Sequence, residues 1–523
     1  MSARTRSVRT AAALWVFAAL GSITTPGAAQ QSLDKRIRQV MDRPEFAHAT
    51  WGMEFYDLDA KKTLFAVNRD RLFVPGSTTK LLTMGTALEV LGPDHRFHTR
   101  VYRTGPVRNG VLEGDLVLVA VGDPNLSGRA RPDGSYAFND RDHSYGGLPV
   151  SGDPLAAMRH LAQQVAAAGI RTVAGQVIVR VPGPLGAVEG TLRELGTGVT
   201  MSPMVVNDNV IDIVVTPAAL AGDPATVTVS PVTSHLKVFA NLVTIDSGKP
   251  PTIETVEDST DRDHRTIVAT GGVPRGAPSN FPWAVPMPSR FGEIVLAELL
   301  NESGVRAIPR LRSRAVDSSE PAYADSLMVA EHLSLPLTEE ARVLLKVSQN
   351  LHASNMPFVL AALPAARAAN QGGFDIEREW LTRAGLDLNG AVQGDGAGGD
   401  AYFSPAFMTR YLEVVSQRPY AAAFKAALPV LGRDGTLAPI QVNAPAAGKV
   451  FAKTGTFTSY DPLNRRPIVH GKGLAGYFTS KSGRRIAFAI YVNNVAANVP
   501  DPALMSGQAL GEIASIAWET IKP

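Results

Sequence analysis

From about Phe97 the chain loses the helical periodicity that marks its two ends. Arg100 to Val121, Gly175 to Val181, Val205 to Pro217 and Ala225 to Ser230 are instead rich in strand formers and separated by turn residues. Before this stretch, Ser32 to Arg43 has helical spacing, and Trp51 to Tyr56 and Thr63 to Val67 read as two strands around a turn. Pro75-Gly76 then breaks the chain, and Thr78 to Leu91 follows as a helix stopped by Gly92-Pro93. Helical spacing returns at Phe291 to Glu302 and again from Thr338, with helices expected over Ala341 to Leu360, Asp375 to Ala384, Pro405 to Ser416 and Ala421 to Ala427. Strands are expected at Lys449 to Thr454, Gly473 to Thr479 and Arg485 to Asn493, and a last helix from Ser506 to Ile521. A chain of 523 residues, 45% hydrophobic, exceeds one simple core. The pattern therefore predicts a mixed domain split by a β-rich insert: 30–96 as its first part, 97–325 inserted with a second unit nested at about 171–250, and 326–523 as its second part.

The first 29 residues read as a secretory signal. Arg4, Arg6 and Arg9 precede a short apolar run, Ala11 to Leu20, and Gly27-Ala28-Ala29 offers small residues for cleavage. Removing the three arginines takes the formal charge from +3 to about zero, which leaves no basic excess for nucleic acid. No later segment is long and apolar enough for a membrane span. The expected location is outside the inner membrane, periplasmic or extracellular. Cysteine is absent, so disulfides and thiolate chemistry are excluded.

Three short motifs carry the chemistry. Ser77-Thr78-Thr79-Lys80 stands at the start of a helix, where residues three apart share a face. A lysine near a second cation and partly desolvated can lose its proton and act as base toward the serine. The same spacing recurs at Ser32 to Lys35 and Ser234 to Lys237, but only Ser77 has a Pro-Gly break before it and a strong amphipathic helix behind it. Ser348-Gln349-Asn350 is the one S-x-N triplet, offering a hydroxyl for proton relay and an amide for a substrate backbone. Lys453-Thr454-Gly455-Thr456 follows a strand-like run, with a fixed cation, a glycine that permits close backbone approach and two hydroxyls for a carboxylate. The histidines are scattered, His95-Arg96-Phe97-His98 is no helical metal pair, and neither a P-loop nor a G-x-S-x-G or H-E-x-x-H motif occurs.

In this order the three motifs match the S-x-x-K, S-x-N and K-T-G set of penicilloyl-serine enzymes. About 270 residues separate Ser77 from Ser348, far more than a β-lactamase needs. With that insert, the chain resembles class C penicillin-binding proteins, the D-Ala-D-Ala carboxypeptidase/endopeptidase family, over about residues 32–520. Gly114 to Leu118, Gly122-Asp123-Pro124, Asn207-Asp208-Asn209, Asp395-Gly396 and Gly432 to Leu437 share the resemblance. It implies an α+β fold: a transpeptidase-like domain of antiparallel sheet with flanking helices, its active site at the sheet edge, interrupted by β-rich inserted domains. It implies Ser77 as nucleophile, Lys80 as base and Ser348 returning a proton with Lys80. Asn350, Lys453, Thr454, Gly455 and Thr456 would bind substrate, and the N–H groups of Ser77 and Thr456 would form the oxyanion hole. The expected ligands are peptidoglycan stem peptides and β-lactams, with no cofactor or metal. A related β-lactamase or esterase, and a non-catalytic wall-binding relative, remain the alternatives. Departures from the family pattern fall at Asp395 to Asp400, at Ala401 and Tyr402 where an arginine is common, at Ser354 where an acidic residue is common, and in the long Ser459 to Lys472 stretch. They bear on which stem peptide is bound.

Overall fold

The computed structural model describes residues 28–190, 198–310 and 323–522. The expected leader lies outside them except for Ala28 and Ala29, which open helix α1 (Ala28–Met41).

A five-stranded antiparallel sheet joins the two ends of the chain. Its strands are β1 (Thr50–Asp57), β2 (Lys62–Val67), β3 (Val450–Asp461), β4 (Arg466–Thr479) and β5 (Arg485–Val495). The order is β3-β4-β5-β1-β2, so β1 and β5 are neighbours although more than 400 residues apart, with Phe55 opposite Phe488. Successive side chains of a strand point to opposite faces. Accordingly Ile486, Phe488, Ile490 and Val492 enter one core while Ala487, Ala489 and Tyr491 enter the other. The first core is closed by α1 and the C-terminal helix Pro502–Thr520, through Leu33, Ile37, Leu510 and Ala514. The second holds α2 (Lys80–Leu91), whose Leu81, Met84 and Leu88 are buried beside Tyr411 and Leu412. Polar Thr83 and Thr86 are buried too, so α2 is a central helix enclosed on all sides rather than a surface helix.

The intervening region has its own core, built around Leu118, Leu161, Val179 and Val295. Its four-stranded sheet pairs His98–Arg103 with Leu116–Val119 and with Met328–Leu333. The return strand Met328–Leu333 thus belongs to this sheet, beyond the boundary expected at residue 325. Further strands between Val210 and Pro274 form two small sheets. In one, Leu236–Ile245 runs parallel to Arg265–Pro274, past the 171–250 range expected for a nested unit.

One local expectation fails in an informative place. The helix expected over Ala341 to Leu360 is two helices, α3 (Leu337–Lys346) and α4 (Asn350–Ala361). Ser348 between them has φ +65°, a left-handed conformation that ends α3. The Gln349 side chain then accepts from Leu351 N and caps α4.

Candidate active site

Ser77 lies in a short 3-10 turn, Gly76–Thr79, that leads directly into α2. Lys80, the first residue of that helix, is fully buried, and its Nζ meets Ser77 Oγ at 2.8 Å. The same amine donates to Asn350 Oδ1 at 2.5 Å and to the carbonyl of Ala397 at 3.0 Å. Three distant segments thus converge on one nitrogen. Burial of an ammonium is costly unless oxygens surround it, and here they do.

The edge strand β3 supplies the opposite wall. Lys453 is fully buried, and its Nζ donates to Ser348 Oγ and to Thr454 O, both at 2.8 Å. Burial, and then the neighbouring amines of Lys80 and Lys472, hold Lys453 well below the usual lysine range. Ser348 therefore faces Lys453, whereas the motif reading paired it with Lys80. Thr454 Oγ1 donates to Thr436 Oγ1 at 2.7 Å, which ties β3 to the Gly435–Leu437 turn. Ser77, Ser348, Asn350, Thr436, Thr454 and Thr456 line one cleft of about 530 Å³.

Gly455 also meets a backbone within the protein. A Cβ built on it would lie 1.9 Å from Pro75 O and 3.0 Å from Ser77 N. The missing side chain lets β3 close on the nucleophile turn. Gly398, at φ +104°, does the same from the other side, since its Cβ would lie 2.2 Å from Gly76 O. Within the same loop, the Asp395 carboxylate sets the backbone path. Asp395 accepts from the N–H groups of Ala397 at 2.6 Å and Asp400 at 2.6 Å, and so presents the Ala397 carbonyl to Lys80.

Sequence reasoning missed what holds Ser348 and Asn350. Tyr145, from the inserted region, accepts from Asn350 N at 2.5 Å and donates to Ser348 O at 3.3 Å. Gln349 Nε2 donates to Asp142 Oδ1 and Ser144 Oγ, both at 3.1 Å. Behind them Asp208 accepts from His143 at 2.8 Å and His352 at 2.9 Å, and pairs with Arg129. Burial alone would lower both histidines. The flanking carboxylates, Asp208 and Asp212 for His143 and Glu340 and Asp208 for His352, instead raise each to about 10. Asp142, His143 and Asp208 are close enough to bind a metal, but the Arg129 guanidinium already bridges the two carboxylates. Asp208 and Gln349 lie in stretches the sequence singled out, but no local motif joins them, because the network's members come from five separate segments.

The comparisons fit this geometry. The D-Ala-D-Ala carboxypeptidase 3 (S13) family matches residues 30–509. A D-alanyl-D-alanine carboxypeptidase of Actinomadura sp. is 27% identical over 491 residues, covering 90% of this chain and 82% of the relative. D-alanyl-D-alanine carboxypeptidase DacB of Haemophilus influenzae is 21% identical over 438 residues, covering 82% and 81%. The crystal structure of penicillin binding protein 4 from Haemophilus influenzae superposes with a TM-score of 0.67 at 17% identity, over 92% of this chain and 99% of that one. The likeness at that identity concerns the fold, an α+β arrangement of separate sheets and helices. With the family matched along nearly all of its length, the chain belongs to the D-Ala-D-Ala carboxypeptidase 3 (S13) family.

Proposed function

We propose that this enzyme is a serine D-Ala-D-Ala carboxypeptidase and endopeptidase that cleaves peptidoglycan stem peptides through an acyl-enzyme on Ser77. The observation that carries the reading is the buried Lys80 amine, 2.8 Å from Ser77 Oγ and anchored by Asn350 and Ala397. The substrate's terminal carboxylate binds Lys453, Thr454 and Thr456, and Asn350 holds the peptide amide. Ser77 Oγ attacks the carbonyl carbon of the penultimate D-Ala as its proton passes to Lys80. The N–H groups of Ser77 and Thr456 receive the developing oxyanion. Collapse breaks the C–N bond, and the proton Lys80 took from Ser77 passes to the leaving amine by way of Ser348, which Lys453 holds in place, so that Lys80 is again neutral. Water then hydrolyses the acyl-enzyme and frees Ser77. A β-lactam enters the same path and acylates the same serine.

The N-terminal pattern supports export to the wall side of the membrane, and no helix among the described residues is long and apolar enough to cross one. The test is product analysis with a defined cross-linked muropeptide. Free D-Ala and separated stem peptides are the expected products, and both disappear in Ser77→Ala. Rapid β-lactam turnover without either product would instead mark a β-lactamase.

A further inference from the structure

Lys472 belongs to none of the three motifs, yet it reaches the same cleft. It stands on β4 directly opposite Thr456 of β3 and lines the cleft beside Ser77 and Thr454. Its Nζ donates to Thr456 Oγ1 at 2.6 Å. That bond occupies a lone pair of the hydroxyl. The one proton of Thr456 is then left to donate elsewhere, and the cleft is on that side. The aliphatic stem of Lys472 rests on the C-terminal helix at Gly507, where a Cβ would lie 3.4 Å from Lys472 Cε. The long side chain is thereby held half-buried instead of swinging into solvent.

Among the described residues, neither Lys453 nor Lys472 has a carboxylate within bonding reach. Lys453 bonds the neutral oxygens of Ser348 and Thr454, and Lys472 bonds the neutral hydroxyl of Thr456. Lys472 and Lys80 both depress Lys453, so these amines repel one another across the cleft. Burial pushes Lys472 itself down to about 8, opposed by the field of Asp501 at the start of the C-terminal helix. An anion placed among them would relieve this repulsion and favour the charged form of each amine. We infer that Lys472 is a second cation for the substrate's terminal carboxylate. It acts on that carboxylate directly and through the Thr456 hydroxyl, and it makes the enzyme select substrates whose leaving group ends in a free carboxylate. This rests on the reading that β3 binds that carboxylate. Lys472 is a specificity-determining residue, since nothing places it on the scissile bond.

The test uses two acyl-D-Ala thiolesters, one with a thioglycolate leaving group and the other with its methyl ester. Because both are assayed on one sample, the ratio of their kcat/KM values cancels any loss of active protein. Wild type prefers the acid. In Lys472→Met the acid-to-ester ratio falls about tenfold to a hundredfold, chiefly through KM for the acid, the size expected for a charge-assisted hydrogen bond. Lys472→Arg, which keeps the charge, retains most of the preference. An unchanged ratio in Lys472→Met overturns the proposal, whether both rates stay or fall together. If the underlying reading were wrong, wild type itself would show no preference for the acid, or no acyl-enzyme would form on Ser77.

Discussion

Replacing Gly455 by alanine tests the convergence of the two halves of the site. The added Cβ would lie 1.9 Å from Pro75 O, a main-chain atom two residues before the nucleophile. A carbon and a carbonyl oxygen do not ordinarily approach closer than about 3.3 Å, so strand and turn must separate by roughly 1.4 Å. No side-chain rotation relieves this, because both partners are backbone. Overpacking of this kind costs about 1–3 kcal/mol of stability, which a two-core domain tolerates. The larger effect falls on geometry. Ser77 moves relative to β3, and a displacement near 1 Å lowers rate by about a hundredfold. The assay is the rate of acylation by a fluorescent penicillin, with thermal unfolding of the same sample. Gly186→Ala is the control, since among the described residues its Cβ meets only Val181 O at 3.7 Å. If Gly455→Ala acylates within about threefold of wild type, the close approach is irrelevant to the nucleophile and the reasoning fails.

Other perturbations test the supports of the site. Tyr145→Phe removes the acceptor of Asn350 N and the donor to Ser348 O. Its stability should fall by about 1–3 kcal/mol and its acylation rate by about tenfold, seen by calorimetry and by stopped-flow labelling. Glu377 is buried with Thr86 as its hydrogen-bond partner, and burial pushes its carboxyl up to about 7 from 4.5. A raised folded-state value means that stability is fully present below pH 4.5 and is lost as pH rises through 7, by up to about 3 kcal/mol. Glu377→Gln should therefore match wild type in melting temperature at pH 4.5 and exceed it at pH 8.5, and parallel curves would refute this.

Much of the frame was legible because its signals are local. The strand-like run Arg485 to Asn493, the Pro75-Gly76 break and the helix stop at Gly92-Pro93 each act within a few residues, and the structure follows them closely. The helix break at Ser348 was missed because apolar spacing runs through it. A single left-handed residue interrupts the backbone without altering that spacing. The motif residues Ser77, Lys80, Ser348, Asn350, Lys453, Thr454 and Thr456 meet in one place, as their order suggested. For Gly455 the sequence says only that something comes close. The structure adds Pro75, which approaches from the nucleophile turn nearly 400 residues away in the chain. Tyr145, Gln349 and Lys472 were beyond reach for a similar reason, since each acts through a partner on another segment.

The central claim is that Ser77 forms the acyl-enzyme, and mass spectrometry after exposure to a labelled penicillin tests it most directly. One adduct of the intact β-lactam mass is expected, confined to the peptide carrying Ser77 and absent from Ser77→Ala. A folded protein that carries no adduct there, or that carries it on another serine, would contradict it.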